Sequence, residues 1–219
     1  MGATAARTDK IRSTYERTAR KLGFQCIAGA DEAGRGSLFG PVYAAAVVLH
    51  PDRAIRGLRD SKQLSAERRE ELSLKIRERA LCWAVATAEA DEIDRINIYQ
   101  ASRVAIRRAI EALQPCPDYL LIDALQIDLE IPQQGIIHGD ALSPSIAAAS
   151  ILAKVDRDAC MCHFDVVYPG YGLARHKGYP TPEHFDALAR LGPTPHHRMS
   201  YAPVRQLPLF PPMERTACH

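Results

Sequence analysis

Short apolar runs, separated by longer segments with helical spacing, set the layout of this chain. Residues 7–22 read as a polar leading helix. Residues 25–31 (QCIAGAD) form a brief apolar run ending in a carboxylate, and residues 42–49 (VYAAAVVL) form a second, apolar enough for a buried strand. Asp60-Ser61-Lys62 lies in a loop, and Ser65 is placed to cap a charged helix reaching about residue 80. Residues 81–89 read as a third strand. Residues 97–113 carry apolar positions at helical spacing with a basic outer face, and Pro115 and Pro117 stop that helix. Residues 118–123 (DYLLID) make a fourth strand, again ending in aspartate, and residues 135–138 a short fifth. Ser143-Pro144-Ser145 opens a helix over 146–162; proline is tolerated early there because its missing N–H would be unpaired. A short helix is expected over 182–191. Past Gly192 the chain is proline-rich, with no evident core of its own.

After the leading helix the order is two strands, helix, strand, helix, two strands, helix. That order predicts one α/β domain with a mixed sheet, and 219 residues suffice for a single good-sized core. The expected division is a helical extension over 1–22, a catalytic domain over 23–204 whose part from about 165 is helical, and a tail over 205–219. No apolar run is long enough to cross a membrane, and the charged start lacks the apolar segment of a secretory signal. Six cysteines without CxxC spacing read as reduced thiols of a cytoplasmic protein. A net charge of +2 permits a nucleic-acid partner without demanding one.

The carboxylates change the picture. Asp31 and Glu32 end one apolar strand, Asp123 ends another, and Asp140 sits between a short strand and a helix start. Ligands of α/β sheets usually bind at the carboxyl ends of strands. Acidic groups gathered there repel one another unless a cation holds them. An all-oxygen set suits hard ions, Mg²⁺ or Mn²⁺, and two such ions would clamp a phosphodiester for hydrolysis. Taken singly, each aspartate could as well be a turn former or helix cap.

Around these positions the wording becomes specific. Residues 29–42 (GADEAGRGSLFGPV), Asp60-Ser61-Lys62, Leu121-Ile122-Asp123, Gly139-Asp140 with residues 145–155 (SIAAASILAKV), Arg157-Asp158, residues 176–181 (HKGYPT) and residues 197–201 (HRMSY) resemble the ribonuclease HII family, in its order, over about residues 25–204. The resemblance favours this family over the related ribonuclease HIII, whose extra N-terminal domain is not expected here. The resemblance implies a ribonuclease H-like fold: a five-stranded mixed sheet flanked by helices, with a short C-terminal helical extension. It implies an endonuclease that cuts the RNA strand of RNA–DNA hybrids, nicks at ribonucleotides embedded in duplex DNA, and serves ribonucleotide excision repair and primer removal. Asp31, Glu32, Asp123 and Asp140 would be the catalytic metal ligands for two divalent ions, Mn²⁺ or Mg²⁺. Gly34-Arg35-Gly36 would sense the ribose, its glycines letting backbone approach the 2′-hydroxyl that separates RNA from DNA, and Arg35 would meet a phosphate. Tyr179 would stack on the sugar of the nucleotide that follows the ribonucleotide. Lys62, Lys154 and Lys177 are further phosphate candidates, although Lys154 could equally pair with Asp158 one turn on. Ser143 and Ser145 are placed to cap a helix, with a phosphate contact as the second reading.

The tail carries a separate signal. Gln206-Leu207-Pro208-Leu209-Phe210 resembles the short peptide by which bacterial repair proteins bind the sliding clamp, and it could instead cover the core. A monomer is expected. The rival functions are a nuclease of the same fold without ribose sensing, such as a junction resolvase or transposase-like enzyme, and a non-catalytic nucleic-acid-binding module.

Overall fold

The computed structural model describes residues 13–206. Its elements in chain order are α1 (Thr14–Lys21), β1 (Ile27–Ala33), β2 (Val42–Val48), α2 (Ala66–Arg79), β3 (Cys82–Ala88), α3 (Ala90–Glu111), β4 (Tyr119–Asp123), β5 (Gln133–Ile136), α4 (Gly139–Leu142), α5 (Pro144–Val167), α6 (Leu173–His176), α7 (Pro182–Leu191) and α8 (Ala202–Arg205). The five strands form one sheet in the order β3-β2-β1-β4-β5. β1, β2 and β3 pair antiparallel, while β1–β4 and β4–β5 are parallel.

Strand alternation builds two cores from one sheet. On β2, Ala44, Ala46 and Val48 pack with Ile106, Ala109 and other residues of α3. Ala45 and Val47 face the opposite way, against Leu72 and Ile76 of α2 and the alanine-rich turn Ala147–Ala149 of α5. Small residues on β1 let α5 lie close. A Cβ at Gly29 would stand 2.1 Å from the backbone carbon of Ser145, so only glycine fits where helix and strand meet. That contact fixes α5 across the centre of the sheet. α1 closes one flank: Ala19 packs with Ile27, Leu121, Ile136 and Ile146.

Several expectations change, among them the fifth strand, which lies over Gln133–Ile136 instead of 135–138. α3 starts at Ala90 rather than 97, as two helical pieces joined across Asn97, whose φ of 65° and ψ of 161° interrupt the helix, and Asn97 Oδ1 accepts from Gln100 N–H at the start of the second piece. The extra turn buries Ile93 and presents Asp94. α5 runs five residues past 162, to Val167. Residues 193–206, which read as having no evident core of their own, pack onto the rest of the domain. His197, Arg198 and Val204 are buried, Phe39 bridges to His197, and Asp94 accepts from the backbone N–H groups of Met199 and Ser200 at 2.8 and 2.9 Å. Local periodicity carried no sign of this, because the segment packs through long-range polar contacts.

Candidate active site

Register brings the first three carboxylates level. Ala30 pairs with Ile122 across the parallel β1–β4 ladder, so Asp31 and Asp123 follow side by side at the strand ends. Asp31 shares the α5 face of β1, where Ser150 stands close enough to favour its ionised form and Ser61 Oγ lies 2.9 Å from Ser150 Oγ. Glu32, the next residue, takes the alternate direction. After β5 the chain turns through His138, in the left-handed region, into α4; Gly139 N–H donates to Asp123 Oδ1 at 2.7 Å and places Asp140 next to that strand end.

The four groups share one field. Burial pushes the Asp31 carboxyl well above the usual carboxylate range, and Glu32 and Asp123 push it further. Burial also raises Glu32, against the pull of Arg35, whose Nη1 lies 3.2 Å from Glu32 Oε1. Asp140 is raised by burial, then by Asp60 and Asp123, with Lys62 acting against them. Asp60 is therefore a fifth carboxylate of this cluster. Only its place in Asp60-Ser61-Lys62 hinted at that, since a polar loop residue looks the same whether it faces solvent or a site.

The donor set is all oxygen, and Glu32 Oε2 is buried without a hydrogen-bond partner among the described residues. Both features fit a hard divalent cation. Among the described residues no three His, Cys, Asp or Glu side chains are arranged to hold an ion as they stand. Like charges at close quarters push apart until a cation neutralises them.

Beside this row, the loop after β1 is held by two arginines with no exposed surface. Arg157 of α5 donates from Nη2 to Ser37 Oγ at 2.8 Å and from Nη1 to the Lys177 carbonyl at 3.0 Å. Arg198 donates from Nη1 to the Arg35 carbonyl at 2.8 Å, and Tyr201 Oη donates to the same oxygen at 2.7 Å. Gly34 has φ +97°, and a Cβ there would lie 2.0 Å from Arg157 Nε, so the loop can close over the arginine only with glycine. Leu38 N–H donates to the Gly178 carbonyl at 2.9 Å, joining this loop to the one bearing Tyr179. A Cβ at Gly36 would stand 4.0 Å from Tyr179 Cε1, so Gly34-Arg35-Gly36 and Tyr179 are neighbours. Arg157 and Lys154 approach the Tyr179 ring at 5.4 and 5.7 Å. Beneath it, His184 Nδ1–H donates to the Tyr179 carbonyl (3.0 Å), and His184 Nε2 accepts from His197 Nε2–H (3.2 Å). Burial holds both imidazoles neutral, His184 pushed down to about 4 and His197 to about 3.

Some candidates stand elsewhere than expected. Ser143 has no exposed surface; its hydroxyl donates to Glu16 Oε1 at 2.6 Å and accepts from Ile146 N–H. It is a helix cap and not a phosphate contact, because α1 covers it. Lys177 turns its ammonium to Cys162 Sγ at 3.1 Å. Lys154 donates to Asp158 Oδ1 at 2.7 Å, the alternative pairing. Lys62 is exposed beside Asp140. Of the tail motif only Gln206 is described; Leu207, Leu209 and Phe210 lie outside the described residues.

A mixed sheet in this strand order, with carboxylates level on adjacent parallel strands at its centre, defines the ribonuclease H-like fold. The ribonuclease HII family model matches residues 28–204. A ribonuclease HII from Solibacter usitatus is 55% identical over 202 residues, which span 92% of this chain and 89% of the relative. Among solved structures, the ribonuclease H2 from Pyrococcus horikoshii superposes with a TM-score of 0.71 at 25% identity, covering 83% of this chain and 96% of the other. The ribonuclease HII of Archaeoglobus fulgidus, solved as a complex with PCNA, gives 0.68 at 26% identity over 84% and 98%. Bst-RNase HIII in complex with Mn²⁺ gives 0.66 at 21% identity over 85% and 70%, a likeness of fold.

The chain belongs to the ribonuclease HII family. It is a type 2 ribonuclease H, an endoribonuclease of the hydrolase class. Among the described residues no helix is long and apolar enough to cross a membrane.

Proposed function

We propose that this enzyme nicks duplex DNA on the 5′ side of embedded single ribonucleotides, as well as cutting RNA in hybrids, and leaves 5′-phosphate and 3′-hydroxyl ends. One observation carries the reading: the acidic row and the Gly36–Tyr179 pair are joined through Arg35, which touches Glu32 at 3.2 Å. A group that senses a ribose is useful to a nuclease only when it sits beside the cutting centre.

Asp31, Glu32, Asp123 and Asp140 would hold the divalent ions, Mn²⁺ or Mg²⁺. Two ions bound there would polarise the attacking water and stabilise the departing oxygen. The chain itself supplies position. The backbone of Gly34-Arg35-Gly36 offers amides and carbonyls to the 2′-hydroxyl, while Arg157 and Arg198 hold that backbone still. Tyr179 lies against the sugar on the 3′ side of the ribonucleotide. Lys62, beside Asp140, would meet a phosphate; Lys154 would do so on exchanging its Asp158 partner, and Arg35 once a cation takes over Glu32.

The test is a DNA duplex bearing one ribonucleotide, incubated with Mg²⁺, with Mn²⁺ or with chelator. One nick 5′ of the ribonucleotide, dependent on metal and absent from the all-DNA duplex, is expected. Equal cutting of the all-DNA duplex would point instead to a nuclease of this fold without ribose sensing.

We also propose that the segment from Gln206 to Phe210 docks on a sliding clamp, placing the enzyme on newly made DNA. The relative from Archaeoglobus fulgidus, solved with PCNA, supports that reading. Deleting residues 206–210 is expected to remove clamp binding, read by gel filtration of the mixture, and to leave cutting of a short oligonucleotide intact. Retained binding would exclude it.

A further inference from the structure

A groove of roughly 990 Å³ runs between α1 and the loop from β2 to α2, outside both the acidic row and the ribose-sensing loops. Six arginines line it: Arg17 and Arg20 of α1, Arg53, Arg56 and Arg59 of the loop, and Arg68 of α2. Arg68 pairs with Glu71. The other five make no ion pair among the described residues. Glu16 is the one acidic residue in the wall; its Oε1 is taken by Ser143 and Ser145 and its Oε2 is buried without a hydrogen-bond partner among the described residues, so one carboxylate faces six guanidinium groups. Guanidinium groups in such excess over carboxylates repel one another, so the wall is complementary to a polyanion. Arginine's planar fork suits phosphate in particular.

α5 locates the groove relative to the cutting centre. Pro144, its first residue, lines the groove; Ser150 neighbours Asp31; Lys154 and Arg157 face Tyr179. At 1.5 Å per helical residue, the groove begins about 9 Å to one side of the acidic row and the Tyr179 contacts lie about 6–10 Å to the other. The two are also joined along the chain, since Arg59 precedes Asp60, the residue beside Asp140.

We propose that this groove is a second nucleic-acid site, gripping the phosphodiester backbone of the duplex on the 5′ side of the ribonucleotide. The assignment of side rests on the proposed placement of Tyr179 on the 3′ side. The groove would lengthen the footprint of the enzyme and favour long duplexes over short ones.

Arg53→Ala/Arg56→Ala tests it, because both side chains are exposed and outside the core. A melting curve matching the parent's establishes that the variant folds. On a long single-ribonucleotide duplex, the parent's kcat/KM should exceed the variant's. That advantage should grow about tenfold as salt falls from about 200 to about 50 mM, the effect of losing two phosphate contacts. Trimming the 5′ flank should close the gap, and trimming the 3′ flank should leave it open. Equal loss on all three duplexes, or no loss on any, overturns the proposal. If the parent cuts none of them, the nuclease reading fails separately. The groove is then judged by anisotropy on plain long and short duplexes, where equal binding by parent and variant overturns it.

Discussion

Asp31→Asn is expected to abolish cutting and, in the absence of divalent ions, to raise the melting temperature. The two effects have one cause. Asp31 is buried, with burial, Glu32 and Asp123 all opposing its charge. Asparagine keeps the shape and removes the charge. Relief of even about 1 kcal/mol of repulsion should lift the midpoint by about 2–4 °C in a domain of this size. The pH dependence has a definite sign. A carboxyl whose folded pKa is raised costs stability once it ionises, so the variant's advantage should be largest near neutral pH. It should shrink as pH falls through the raised pKa and the parent's Asp31 takes up its proton. Activity should fall at least about 10²-fold, since even the partners of metal ligands cost about 10–100-fold when removed. A melting temperature unchanged at neutral pH would mean that Asp31 is not crowded by its neighbours.

Arg157→Ala should produce the largest loss of stability. The side chain has no exposed surface and serves Ser37, Phe39 and Lys177 at 2.8, 3.3 and 3.0 Å. Truncation strands those acceptors and leaves a cavity. Together these should cost about 3–5 kcal/mol, or about 10 °C. Arg157→Lys should recover only part of it, because one ammonium cannot reproduce a planar fork with three nitrogens. The functional consequence is more specific. Arg157 ties the Gly34-Arg35-Gly36 loop to the Tyr179 loop, so Arg157→Lys should lose preference for a ribonucleotide-bearing duplex more than it loses cutting of an all-RNA strand in a hybrid. If the two activities fall by the same factor, Arg157 supports the fold alone.

Much of this architecture was legible in the pattern of apolar positions. β1, β2 and β4 are buried apolar runs, and Ser65 and Ser143 cap the helices they precede. Of the four candidate carboxylates, Asp123 ends β4, while Asp31 and Glu32 break the apolar run of β1 just before its last residue. The remainder depends on contacts that no local window contains. Arg198 reaches Gly40, 158 residues away, and a charged residue in a proline-rich stretch gives no sign that it will be buried. Asp94 owes its role to Met199 and Ser200, more than a hundred residues on. Ser143 could be read as a phosphate contact because nothing near it in sequence reveals that Glu16 would occupy its hydroxyl. Asp60 was visible only as part of a loop, and its approach to Asp140 follows from α2 and α5 packing on one face of the sheet.

The most direct measurement is a thermal melt of the parent and of Asp31→Asn, each with and without Mn²⁺. Ions that bind only the folded chain raise its midpoint. The parent should gain stability on addition of Mn²⁺, and Asp31→Asn should gain little or none. An unmoved parent, or equal gains in the two proteins, would contradict the acidic row as the seat of the divalent ions.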